Sequence, residues 1–263
     1  MNTRPSTVYF YSTCVVDLMA PQAGVDAIRL LQESGIEVVF PHDQSCCGQP
    51  AYSAGYFDEA RSVAQAQLAI FPERWPIVVP SGSCAGMMKH HWPKLFAGDA
   101  ALEAGARDIA DRIVEWSAFA QEHGLPAPTP AARPARPVKV ALHTSCSARR
   151  EMGTHVPSEA MLRAMPDVEV VQQARSVECC GFGGTFSARH PDISGAMVTD
   201  KLDALRDSGA DVVVSADCGC LLNLHHAAEK RRAAGEALPR VVHLASFVRE
   251  RRGAQDAAQC VTD

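Results

Sequence analysis

Short apolar runs alternate with longer amphipathic stretches along this chain. Residues 7–12 (TVYFYS) are β-branched and aromatic, run into Cys14, and predict a strand. Residues 21–34 carry Val25, Ile28 and Leu31 near helical spacing with Gly35 as a stop, and residues 36–40 predict a second strand. Residues 57–71 place Val63, Ala66 and Ile70 on one helical face ahead of Pro72. A short buried strand is expected at 76–80 (PIVVP), a helix at 85–96, and a longer helix over 102–123.

The pattern then restarts. Strands are predicted at 138–143, 168–171 and 211–216 (DVVVSA), with a last one at 240–244; helices are predicted at 159–165, 193–208 and 221–232, with a closing turn or two at 247–252. Such alternation predicts an α/β fold of two duplicated halves, each with a mainly parallel sheet and crossover helices. Residues 125–137 (LPAPTPAARPARP) read as a Pro-rich linker, which leaves a first repeat at 1–124 and a second at 138–263.

The cysteines obey the same repeat. Cys46-Cys47-Gly48 has a twin in Cys179-Cys180-Gly181; Cys14 precedes the first pair by 32 positions and Cys146 the second by 33. Cys84 follows the first pair, and Cys218 and Cys220 follow the second, so of the 10 cysteines only Cys260 stands outside the scheme. Cys260 reads as an ordinary small core residue.

Length and charge narrow the chemistry. A chain of 263 residues can bury a core without disulfides, and a net charge of −5 supplies no basic stripe for nucleic acid or anionic lipid. No signal-peptide pattern and no membrane-length apolar run is present, so the expectation is a cytoplasmic, reducing-compartment protein that meets a membrane only through partners. In that compartment cysteines serve more often as ligands or redox groups than as disulfides.

The predicted topology brings Cys14, Cys46, Cys47 and Cys84, and again Cys146, Cys179, Cys180, Cys218 and Cys220, to strand-to-helix connections at the carboxyl edge of a sheet. Helix N-termini there lower thiol pKa and suit an anionic site. Thiolate-rich sites select zinc, iron–sulfur clusters or copper(I). Structural zinc usually takes knuckles with a turn between two cysteines, whereas adjacent cysteines diverge and more naturally reach different irons of one cluster. Zinc and thiol redox chemistry remain the other readings. Gly48, Gly181, Gly183 and Gly184 are expected to let backbone N–H groups approach the cofactor, and Phe182 and Phe186 to keep water out.

Other polar residues carry less. His143, three residues before Cys146, offers a donor or an alternative ligand, but its counterpart is Tyr11 and a structural place at the strand end is the expectation. Arg149, Arg150 and Arg189 read as a solvated face beside the cysteine motifs, and the pairs His90-His91 and His225-His226 as surface or packing residues. No hydrolase elbow or flavin fingerprint appears.

The repeated Cys-Cys-Gly resembles the CCG, or cysteine-rich, domain of iron–sulfur proteins, which occurs in tandem in the B subunit of heterodisulfide reductase and the iron–sulfur subunit of glycolate oxidase. CCGQPAYSAGY at 46–56, PSGSC at 80–84, CCGFGGTFS at 179–187 and ADCGCLLN at 216–223 are most similar to the lactate utilisation protein A family, over nearly the whole chain. The resemblance implies an electron-transfer subunit of a system that oxidises L-lactate to pyruvate, working with lactate utilisation proteins B and C and passing electrons to an acceptor such as quinone. It implies iron–sulfur clusters of the [4Fe-4S] kind, one or two per chain, in a subunit rather than a complete enzyme. The fullest form of the motif ends in Cys-x-x-Cys and supplies five cysteines; here the matching positions are Ser81 and Cys84 in the first half and Asp217 and Cys220 in the second. Two other classes compete: a thiol–disulfide or heterodisulfide-type reductase, and a non-enzymatic module that is metal-stabilised or redox-sensing.

Overall fold

The structure, a computed structural model, describes residues 4–125 and 137–253. Most of the expected linker and Cys260 lie outside the described residues. The first half runs β1 (Thr7–Phe10), α1 (Cys14–Met19), α2 (Pro21–Glu33), β2 (Glu37–Val39), α3 (Gln49–Ser53), α4 (Phe57–Gln67), β3 (Ile77–Val79) and α5 (Gly82–Gly86). A π-helical turn (Met87–His91), α6 (Trp92–Leu95), α7 (Ala100–Arg112), β4 (Ile113–Glu115) and α8 (Trp116–Glu122) complete it. The second half runs β5 (Val138–Leu142), a π-helical turn (Ala148–Met152), α9 (His155–Arg163), β6 (Val168–Val171), α10 (Phe186–Arg189), α11 (Pro191–Asp207), β7 (Val212–Ser215), α12 (Cys218–Ala233), β8 (Arg240–His243) and α13 (Leu244–Gly253).

Each half forms its own 4-stranded sheet, in the order β2-β1-β3-β4 and again β6-β5-β7-β8, with every pairing parallel. The expected α/β duplication is therefore what the chain adopts. Period-2 alternation buries both faces of each sheet: Val8, Phe10 and Val78 point to the centre of the molecule, while Tyr9, Tyr11, Ile77 and Val79 point outward. In the second sheet Val140, Val212 and Val214 face the centre, and Ala141 and Val213 face α11 and α12.

The central cluster joins the halves. It takes Leu30 and Leu31 from α2, Trp116 and Phe119 from α8, Leu162 from α9 and Phe247 from α13, so these helices form a middle layer between the two sheets. Helix α2 packs on α13 as its counterpart α9 packs on α8, which is the arrangement a pseudo-two-fold axis produces. The same relation sets α5 against the π-helical turn of the second half and α12 against α1. Both carboxyl edges thereby face one region.

One expected element is corrected. The single helix over 102–123 is two helices separated by β4, whose Ile113, Val114 and Glu115 pair with Ile77, Val78 and Val79. Two β-branched residues and a new helix cap break the helix there: the Glu115 carboxylate accepts from Ser117 N at 2.9 Å and Ala118 N at 3.2 Å. Among the described residues no helix is long and apolar enough to cross a membrane.

Candidate metal centre

Both sets of cysteines reach a single cavity of about 580 Å³ between the halves, lined by Cys14, Cys46, Cys47 and Cys84 on one side and Cys146, Cys179, Cys180 and Cys220 on the other. Local structure explains the convergence. Cys14 opens α1 just beyond β1, Cys84 lies in α5 beyond β3, and the Cys46-Cys47 loop joins β2 to α3; Cys146, Cys220 and the Cys179-Cys180 loop hold the matching places. No disulfide forms among the described cysteines.

The sulfurs are in contact in the same order in both halves. Cys14 and Cys47 thiols hydrogen-bond to Cys46, and Cys47 also to Cys84. Cys146 and Cys180 thiols hydrogen-bond to Cys179, and Cys180 also to Cys220. The first sulfur of each pair accepts a backbone N–H as well, from Gly48 at 3.4 Å and from Gly181 at 3.3 Å. Chiefly through their thiol donors, Cys46 and Cys179 are held well below the ordinary thiol range, while Cys14, Cys47, Cys146 and Cys180 are pushed up by the same bonds and by burial. Four sulfurs linked in sequence, one of them held below the ordinary thiol range, make a donor set that fits a thiolate-bound metal cluster, whose positive charge would draw off the remaining protons.

Both amides reach their sulfurs because Gly48 and Gly181 take φ of +84° and +88°. A Cβ at Gly181 would also meet Ser194 O at 2.8 Å. Directly ahead of Cys14, Thr13 has φ 68° and ψ 151°, a region nearly reserved for glycine, so backbone strain adjoins the first set.

Buried polar groups pin the cysteine loops. Gln44 and Gln173 donate to the carbonyls of Phe10 at 3.2 Å and Leu142 at 2.9 Å, tying each loop to the first strand of its half. Trp92 Nε1 and Asn223 Nδ2 each donate at 2.8 Å to the carbonyl of the second cysteine, Cys47 and Cys180. Gln67, on α4, accepts from Ser45 N at 2.9 Å and donates to Ser45 Oγ at 2.8 Å. Its counterpart on α11 is Lys201, whose ammonium donates to Arg175 O.

The expected residues divide as follows. All the expected cysteines of the described chain line the cavity except Cys218, which packs with Val16, Ala23 and Leu221 where α12 meets α1. Burial pushes its thiol up, and Asp217 adds to the shift. Gly183 and Gly184 line the cavity with Phe182, whose ring also lies against Gly219, while Phe186 stacks on His190 with centroids 5.2 Å apart. Arg150 and Arg189 are exposed, as are His225 and His226. His90 is a packing residue, its Nε2 3.0 Å from Glu151 O.

Several residues at or beside the cavity take places that the sequence did not assign them. His91 lines it, with Nδ1 3.1 Å from Tyr52 Oη and Nε2 3.3 Å from the Glu151 carboxylate of the other half. Asp217, a strand-end residue like Ser81, crosses between the halves to accept from Ser83 N at 2.9 Å. Burial raises its pKa. His143 is 0 % exposed, and neither ring nitrogen has a hydrogen-bond partner, so its expected structural place at the strand end involves no bond from the ring. The sequence signal for Lys201 and Gln67 was a polar residue at one matched place on the buried face of α11 and α4.

Comparison with known proteins agrees with this construction. The model of the cysteine-rich (CCG) domain matches residues 8–89 and again 140–225. Lactate utilization protein A of Macrococcus caseolyticus is 39% identical over 218 residues, covering 82% of this chain and 87% of that protein. Lactate utilization protein A 1 of Bacillus mycoides is 36% identical over 251 residues, covering 93% and 97%. Among solved structures, a hypothetical protein from Helicobacter pylori aligns with a TM-score of 0.66 at 11% identity; the match covers 98% of this chain and 51% of that one and concerns the fold alone.

Proposed function

The chain belongs to the cysteine-rich CCG-domain family and to the lactate utilization protein A group within it, and from that premise we propose that it is an iron–sulfur electron-carrying subunit of a multi-protein system that oxidises L-lactate to pyruvate. The observation that carries this reading is the repeated contact order Cys14–Cys46–Cys47–Cys84 and Cys146–Cys179–Cys180–Cys220 around one cavity. These eight cysteines would hold the metal, as two sets of four. An iron–sulfur group supplies reversible one-electron transfer when bound. The chain's own groups do the rest: Gly48 and Gly181 amides point at the sulfurs, Phe182 and Met87 screen them from water, and the buried sheet edges fix their spacing.

A two-electron oxidation that delivers single electrons needs a partner to handle the hydride or proton, which suits a role beside lactate utilisation proteins B and C, with a quinone as acceptor. The test is anaerobic purification with iron, acid-labile sulfide and zinc analysis, followed by lactate addition to the chain alone and to the chain with those partners. Iron and sulfide in similar amounts, with bleaching of the visible absorption by lactate only when the partners are present, is the expected result. Zinc without sulfide, or an iron–sulfur chromophore indifferent to lactate in the full set, would overturn the reading.

A further inference from the structure

The two sulfur sets differ most at one matched position, the residue just beyond the first strand of each half. Tyr11 and His143 are both 0 % exposed. The Tyr11 hydroxyl donates to Ser45 O at 2.7 Å, so its polar atom is occupied by the backbone. The His143 ring has no such partner: Nδ1 and Nε2 are both buried without a hydrogen bond. One ring nitrogen shares a group with Cys180 Sγ and Cys220 Sγ in which the three atoms all lie within 4.8 Å of one another. The imidazole makes no hydrogen bond to either sulfur, and the spacing places a free ring nitrogen beside the two sulfurs that would hold the metal. The backbone sets the ring's position, because His143 N donates to Val214 O at 2.8 Å in continuation of the β5–β7 pairing.

We propose that His143 is a nitrogen ligand of the second-half metal centre, beside Cys180 and Cys220, whereas the first-half centre is held by sulfur alone. This rests on the iron–sulfur reading above. A neutral imidazole adds no negative charge, and in sulfur-ligated centres nitrogen ligation raises the reduction potential. Lys201, 1 % exposed, stands where the first half has Gln67, and burial works against its charge while the neighbouring Glu178, Cys180 and Cys179 favour it. Nitrogen ligation makes the second centre the easier one to reduce. Thr144 and Ser215, whose hydroxyls are also buried without a partner, stand beside the ring, so no protein group competes with a metal for its nitrogens.

The experiment uses the metal-loaded full chain prepared with ¹⁵N-histidine, reduced anaerobically and studied by pulsed EPR, alongside His143→Tyr, which installs the first-half residue. The expected result is a nitrogen coupling of directly bonded size that changes with the isotope and disappears in His143→Tyr, while the signal of the other centre persists. Should the variant fail to fold, the isotope pattern of the unaltered chain decides alone. An iron–sulfur signal with no strongly coupled histidine nitrogen, or one that survives in His143→Tyr, would overturn His143 ligation and leave the proposed function standing. A chain free of iron and sulfide would overturn both.

Discussion

The two halves share a scaffold and differ in what surrounds their sulfurs. Strand order and the run of sulfur hydrogen bonds are the same in each, although α5, a π-helical turn, α6 and α7 lie between β3 and β4 where α12 alone lies between β7 and β8. At matched positions, however, Tyr11 faces His143, Gln67 faces Lys201, Gly82 faces Cys218, and Glu115 at the end of β4 faces His243 at the end of β8. The repeated part is what brings thiols to one edge, and it depends on backbone geometry. The unrepeated part consists of single side chains that alter charge, hydrogen bonding or packing beside that edge. Duplication therefore makes two sites of one construction whose chemical properties are free to separate.

The largest test of that comparison removes one site. Cys180→Ser is expected to lose the second-half metal and keep the first, and Cys47→Ser the reverse, with iron and sulfide per chain falling by roughly half in each case because a hydroxyl replaces the thiolate such a metal prefers. Simultaneous loss of both EPR signals in either variant would show that the shared cavity holds one joint centre rather than two.

A second test concerns the seam. At Gly82 an added Cβ would meet Ala148 Cβ at 2.5 Å and Thr154 Cγ2 at 3.1 Å, since α5 lies directly on the π-helical turn of the other half. Gly82→Cys, which copies the second half into the first, should lower stability by about 1–3 kcal/mol through overpacking. A urea midpoint equal to that of the unaltered chain would mean that the seam yields as readily there as around Cys218.

Much of this asymmetry was legible in the sequence only as position. The paired cysteines, the strand runs before them and the 13-residue stretch now seen as α2 carried the fold, because period-2 and helical patterns are local. Strand β4 was hidden: Ala106, Ile109 and Ala110 of α7 continue into Ile113 with helical spacing, and only its pairing with β3 makes it a strand. Duplication carries the missing signal, since the strand expected at 240–244 implies a counterpart at the matching place in the first half. Cys218 read as a ligand because it lies beside Cys220, yet successive residues at the start of a helix point about 100° apart, and a two-residue step turns the side chain to the other face. The unpartnered His143 ring, by contrast, has no sequence signature at all; its isolation depends on what long-range packing does not bring near.

The end-of-strand pair gives a pH test. Burial raises the Glu115 carboxyl from 4.5 to about 7, against hydrogen bonds from Ser117 and Ala118 that favour the anion. The folded state thus keeps a proton that the unfolded chain releases, so this group's contribution is full below about 4.5 and is lost as pH rises to about 7. His243 works in the opposite sense. Its Nδ1 accepts from Ala245 N at 3.1 Å, its Nε2–H donates to Pro80 O at 3.0 Å, and burial lowers its pKa from 6.5 to about 4. Its contribution is present above about 6.5 and lost as pH falls to about 4. Glu115→Gln should flatten the decline in unfolding midpoint on the alkaline side while the acid side stays as it was; a decline that persists in the variant would assign it to another group.

The smallest expected effect belongs to Cys218, and it bears most directly on where the second site ends. Its thiol is 2 % exposed, sits among Val16, Ala23 and Leu221, and is absent from the cavity that the other sulfurs line. A residue so placed contributes through packing of α12 on α1. Removing one buried sulfur leaves a space about the size of a methyl group, so Cys218→Ala should cost about 1 kcal/mol. Iron and sulfide content and both EPR signals should be unchanged. A variant that loses the second-half signal with little loss of stability would mean that α12 turns on metal binding to bring Cys218 into the ligand set, and the second site would then hold one more thiolate than the first. Equal metal content with a lower urea midpoint would instead fix the difference between the halves in the nitrogen and ammonium groups beside the sulfurs, not in the number of sulfurs.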